Sequence, residues 1–92
     1  MIKSVRHKGL EALHERGSAR GVRADHVAKL RRILQALEEA TGPHELNLPG
    51  YGLHPLKGAR KGDWAIKVDA NWRVTFRFAG QDVERVDYED YH

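Results

Sequence analysis

Trp64, Ile66 and Val68 alternate with Ala65 and Lys67, and Trp72, Val74, Phe76 and Phe78 alternate with Arg73, Thr75 and Arg77. Successive side chains of a strand point to opposite faces, so this pattern predicts two strands sharing one apolar face. Asp69-Ala70-Asn71 between them has turn composition, which makes residues 64–78 a hairpin. Its other face carries Lys67, Arg73, Thr75 and Arg77. Upstream the period changes. Val27, Leu30, Ile33, Leu34 and Leu37 recur at helical spacing, with Asp25 as the expected N-cap. This helix is expected to run to about Ala40, with Gly42 taking the left-handed cap and Pro43 blocking continuation. A shorter helix over 8–15 turns Leu10 and Leu13 inward and stops at Gly17. Short strands are expected at 1–5 and 53–56, and a last strand over 82–90. In that strand Val86 and Tyr88 share a parity that Tyr91 lacks, which calls for a bulge or turn near Glu89. Two helices followed by an antiparallel meander give an α+β fold, helices packed on one sheet face, as a single domain over 1–92.

Composition narrows the class. Ninety-two residues, 40% hydrophobic and 32% charged, suit one small folded domain. The absence of cysteine excludes disulfides and thiolate metal sites and suits a reducing cytoplasm. No apolar run approaches membrane-spanning length, and the N-terminus lacks a signal peptide's apolar core, so a cytoplasmic protein is expected. The net charge of +3 is unevenly placed. Residues 54–77 hold six cations (Lys57, Arg60, Lys61, Lys67, Arg73, Arg77) against two anions, whereas residues 82–92 hold five anions and one arginine. A cationic sheet face thus runs into an acidic aromatic end, YEDYH. A plain phosphate-binding surface has little use for acids beside it. A site that cuts RNA does, because cleavage needs proton transfer as well as charge neutralisation.

RNA is cut without metal or cofactor when its own 2′-hydroxyl attacks the neighbouring phosphorus. A base takes the hydroxyl proton, an acid protonates the leaving 5′-oxygen, and cations stabilise the phosphoryl oxygens. The chain offers His54, His92 and Asp90 for proton work, Lys57 and Arg73 for charge, and Tyr91 for stacking on a base. Structural readings compete residue by residue. Both tryptophans belong to the apolar face and are read as core. His54 precedes Pro55 in a tight region that also suits a hydrogen-bonding histidine. A last-position His92 is ordinarily idle, and gains value from Asp90 and Tyr91 beside it. Asp90 also suits a salt bridge with Arg73. Arg60 and Lys61 are loop cations expected to contact RNA phosphates nonspecifically. His7, His14, His26 and His44 are read as surface residues, and His7 and His14 lack the further ligands a metal site needs.

KLRRILQALEEAT, LHPLKGARKGDWAIKV, ANWRVTFRF and the final YEDYH, in this order, resemble the HigB toxins of the RelE superfamily, also called plasmid-maintenance or proteic-killer toxins. The resemblance covers essentially the whole chain. It implies a microbial-RNase-like fold and a ribosome-dependent endonuclease that enters the 70S ribosome's A site and cuts the mRNA there. It also implies a HigA-type antitoxin with a helix-turn-helix domain, and operator DNA bound only through that antitoxin. The family's functional histidines and Asp-Tyr-His match His54, Asp90, Tyr91 and His92, and its basic positions match Lys57 and Arg73. Two classes of function stand side by side: this nuclease, and a noncatalytic RNA- or ribosome-binding domain using the same cations. A third is an inactive toxin relative that serves only as an antitoxin partner. Binding alone has no need of His54, Asp90 and His92, and A-site cleavage of mRNA on translating ribosomes, with free RNA as control, separates the classes.

Overall fold

The chain forms α1 (Lys8–Arg16), α2 (Val27–Glu39) and four strands, β1 (His54–Pro55), β2 (Asp63–Lys67), β3 (Trp72–Ala79) and β4 (Asp82–Asp90). This is a computed structural model that describes residues 1–91, so His92 lies outside the described residues. The strands make one antiparallel sheet in the order β1-β2-β3-β4. The first residues flank the β4 edge: Ile2 and Val5 bridge in parallel to Val83 and Val86. Backbone bonds of 2.7–3.0 Å fix them there, which removes an open sheet edge.

Each helix buries the face its spacing sets. Leu10 and Leu13 from α1, and Leu30, Ile33, Leu34 and Leu37 from α2, meet Ile66, Val74, Phe76, Val83, Val86 and Tyr88 of the sheet. Burial of each large aliphatic contributes about 1.5–3 kcal/mol, so this interface carries the domain. Trp64 and Trp72 are half-buried against the same core, as their parity requires. Gly17 ends α1 with φ 70°, and His7 starts it, its Nδ1 accepting the Leu10 N–H at 3.1 Å.

Four expectations are corrected. Asp25 does not cap α2; it sits in a single 3₁₀ turn over Ala24–His26 and pairs with Arg23, both bonds 3.1 Å. Gly42 is extended (φ −168°), because α2 already ends at Ala40 in extended backbone and Pro43 opens a new 3₁₀ turn. The bulge lies at Arg85, where φ is 55°, not near Glu89. Thr75 pairs with Asp87 but Arg77 with Glu84, so β4 holds one extra residue between them. That insertion lets Val83, Val86 and Tyr88 all face the core despite their mixed parity.

The fourth correction is His26, which is buried rather than on the surface. Its Nε2 lies 2.7 Å from Asp69 Oδ2 and its Nδ1 2.5 Å from the Tyr88 hydroxyl. A carboxylate only accepts, so Nε2 carries a proton, and in the neutral ring Nδ1 accepts from Tyr88. Asp25, His26 and Asp69 have ligand-type atoms within 4.8 Å of one another. Both imidazole nitrogens are already engaged, so the group is a structural knot joining α2, the β2–β3 turn and β4.

Candidate active site on the outer sheet face

Strand register lays the outer face out in rows, because directly paired residues point the same way. One row is His54–Ala65–Thr75–Asp87. The next is Lys67–Arg73–Glu89, and on the other side lies Asp63–Arg77–Glu84. Ladder spacing puts the His54 and Arg73 Cα atoms ~12 Å apart, within the joint reach of two long side chains around one phosphate. The floor between them is built of small residues, Ala65 and Thr75, both buried even though they face away from the helices.

The charges on this face are tied to one another. Glu89 Oε1 accepts from Arg73 Nε and from Arg60 Nη1, each at 2.8 Å. Arg60 Nη2 donates to Thr75 Oγ1 at 3.2 Å, and its Nε lies 3.7 Å from Asp63. Arg77 Nε donates to the other Asp63 oxygen at 3.0 Å, and Nη2 to the Lys61 carbonyl at 3.1 Å. Burial pushes the Glu89 carboxyl up, and the hydrogen bonds from Arg60 and Arg73 together outweigh it, leaving a net downward shift. The Arg60 guanidinium is shifted up, chiefly by its bond to Glu89.

The predicted residues divide accordingly. His54 is exposed at the β1 edge, with Nδ1 2.9 Å from the Gly52 carbonyl. A carbonyl only accepts, so Nδ1 holds the proton, and the neutral ring presents Nε2 as a base. Tyr91 lies 4.8 Å from the Arg73 guanidinium carbon, and its N–H donates to the Asn71 carbonyl at 3.0 Å. Exposed Lys57 and Lys61 line a cleft of about 420 Å³ with Pro55, Leu56 and Trp64. Exposed Lys67 borders Arg73. Arg60 is not a free loop cation as expected; it reaches back onto the sheet. Arg77 sits two rows from Arg73, held by Asp63. Asp90 pairs in register with Trp72, which by alternation is the helix-side parity. The acid bonded to Arg73 is Glu89, which in the sequence is only one of five anions spread over residues 82–92. The signal for it was parity: Arg73 and Glu89 become paired once a two-residue turn at Gly80-Gln81 and one extra residue in β4 are counted.

Three comparisons bear on this arrangement. The family model described as the RelE-like toxin of the type II toxin–antitoxin system HigB matches residues 3–92. Endoribonuclease HigB of Proteus vulgaris is 52% identical over 92 residues, covering 100% of each chain. Among solved structures, YafQ from E. coli superposes with a TM-score of 0.67 at 17% identity, over 99% of this chain and 92% of that one. A YafQ mutant gives 0.66 at 19% identity, with the same coverage, and at such identities the likeness speaks for the fold alone. By its full-length match to the family, and with the two-helix, four-strand fold shared with YafQ, the chain belongs to the HigB-like toxins, the RelE-like toxins of type II toxin–antitoxin systems.

Proposed function

We propose that this chain is an endoribonuclease toxin that cuts mRNA in the ribosomal A site. The observation that carries the reading is the 52% identity, end to end, with a relative named Endoribonuclease HigB. The outer face supports it with chemistry suited to the task. The substrate's 2′-oxygen bonds to phosphorus and the P–O5′ bond breaks, so one proton must leave and one must arrive. His54 Nε2 is the base. The terminal Asp90-Tyr91-His92 segment supplies the acid, with Tyr91 stacking on a base of the codon. Arg73 and Lys57 stabilise the charge that builds on the phosphoryl oxygens, and Lys61, Lys67 and Arg77 hold neighbouring phosphates. No metal or cofactor enters this scheme. A HigA-type helix-turn-helix antitoxin neutralises the toxin and carries it to operator DNA, and the toxin works in the cytoplasm on 70S ribosomes.

The test is 5′-end mapping of mRNA on translating ribosomes against the same RNA free in solution. Cleavage confined to the A site is the expected result. His54→Ala should lower the single-turnover rate by about 10²–10⁴-fold at unchanged fold. Binding of ribosomes with no cut by the wild-type chain would instead establish the noncatalytic reading.

A further inference from the structure

We infer that Glu89 is a positioning residue for this reaction: its carboxylate clamps Arg73 and Arg60 into one preset phosphate cradle. The inference rests on the endoribonuclease reading and adds a residue that the terminal Asp-Tyr-His segment does not include. Three observations carry it. One oxygen, Oε1, takes a bond from each guanidinium, at 2.8 Å both times. The guanidinium of Arg73 is fixed from a second side by the Tyr91 ring at 4.8 Å. Arg60 is fixed from a second side by the Thr75 hydroxyl on the site's floor. Each arginine is thus held at two points: Arg73, bonded through Nε, keeps its Nη edge directed outward, and Arg60, with one Nη on Glu89 and the other on Thr75, is pinned beside it with the remaining Nη hydrogens to offer.

Donors fixed in place before the reaction stabilise developing charge without reorganising during it. Two guanidinium groups in such proximity repel, and a shared carboxylate removes that repulsion at the cost of one unit of positive field. Glu89 therefore trades affinity for order. Its carboxyl, held ionised by its two partners, is poorly matched to serve as the base itself.

The trade gives a test that a merely structural residue would fail. Glu89→Ala and Glu89→Gln are compared with wild type by single-turnover cleavage on mRNA-programmed ribosomes and by ribosome binding across a salt series. Glu89→Ala should cut at least about tenfold more slowly. Its affinity at low salt should hold or rise, and the salt dependence should steepen by about one unit, because one more cation is available to phosphate. Glu89→Gln keeps an accepting oxygen and should recover part of the rate with an unchanged pH profile. Rate and affinity falling together, or an unimpaired Glu89→Ala enzyme, would overturn the role. So would a Glu89→Gln enzyme whose pH profile loses a limb, since that would mark Glu89 as a proton carrier. A wild-type chain that cuts no RNA in the same assay would sink the nuclease reading itself.

Discussion

His26 is the residue on which three elements converge, and the acid behaviour of the protein follows from its partner. Asp69 accepts from His26 and, through Oδ1, from the Asn71 and Trp72 N–H groups at 2.9 Å each. The His26 bond first, then those backbone bonds, hold its carboxyl down at about 2, against an ordinary value of 3.8. A carboxyl lowered by folding adds stability that is complete above the unfolded value and fades as pH falls toward the folded one. The protein should therefore lose stability between about pH 4 and pH 2. Asp69→Asn should be less stable at pH 6 and show a flatter decline across that window. Thermal unfolding at a series of pH values checks this, and parallel curves for the two proteins would refute it. The same residue sets the geometry of the site, because Asp69 closes the turn that launches Trp72 and Arg73.

At the scale of elements, β4 departs most from regular geometry. Arg85 is the only described non-glycine residue with positive φ, and its N–H is bonded to the Ser4 hydroxyl at 2.8 Å. Left-handed backbone costs a residue with a Cβ roughly 1–2 kcal/mol, and glycine escapes this. Arg85→Gly should raise stability by up to about 1 kcal/mol after its own entropy cost, with no change in cleavage. A denaturant titration measures the gain; a loss would mean that the exposed Arg85 side chain contributes more than the backbone strain costs. The bulge also has a consequence for chemistry. One inserted residue sets Asp87 opposite Thr75 and Glu89 opposite Arg73 on the outer face, and turns Tyr88 toward His26.

For the whole molecule, the division of labour between core and chain end is testable. The buried cluster runs from Ile2 to Tyr88 and leaves out Tyr91, which is 43% exposed. Removing residues 91 and 92 should therefore leave the unfolding midpoint within a few degrees of wild type. It should nonetheless abolish cleavage, since an acid contributes about 10²–10⁴-fold and a stacked aromatic about 1–3 kcal/mol. Growth arrest on induction, A-site cleavage and thermal unfolding are read together. A truncated chain that still cleaves near the wild-type rate would remove Tyr91 and His92 from the mechanism.

Local periodicity alone specified the helices, the 64–78 hairpin, the apolar face and the cationic one. Those features depend on side-chain direction along a single element, and direction is fixed by a period of 3.6 or 2. Side-chain chemistry and the resemblance to HigB toxins, rather than periodicity, singled out His54, Arg73 and Tyr91 as residues suited to RNA chemistry. What tertiary structure decided was pairing. Whether Glu89 or Asp90 meets Arg73 hangs on the Arg85 bulge, which is stabilised from outside β4 by Ser4 and by the parallel bridges of Ile2 and Val5. Arg60 reads as a loop cation in sequence, and only the folded 57–63 loop brings it onto Thr75 and Glu89. His26 looks like a helix-start surface residue until a turn 43 residues away and a strand 62 residues away close over it. Contacts at such separations carry no periodic signature, because they arise from how elements are stacked rather than from how each one is built.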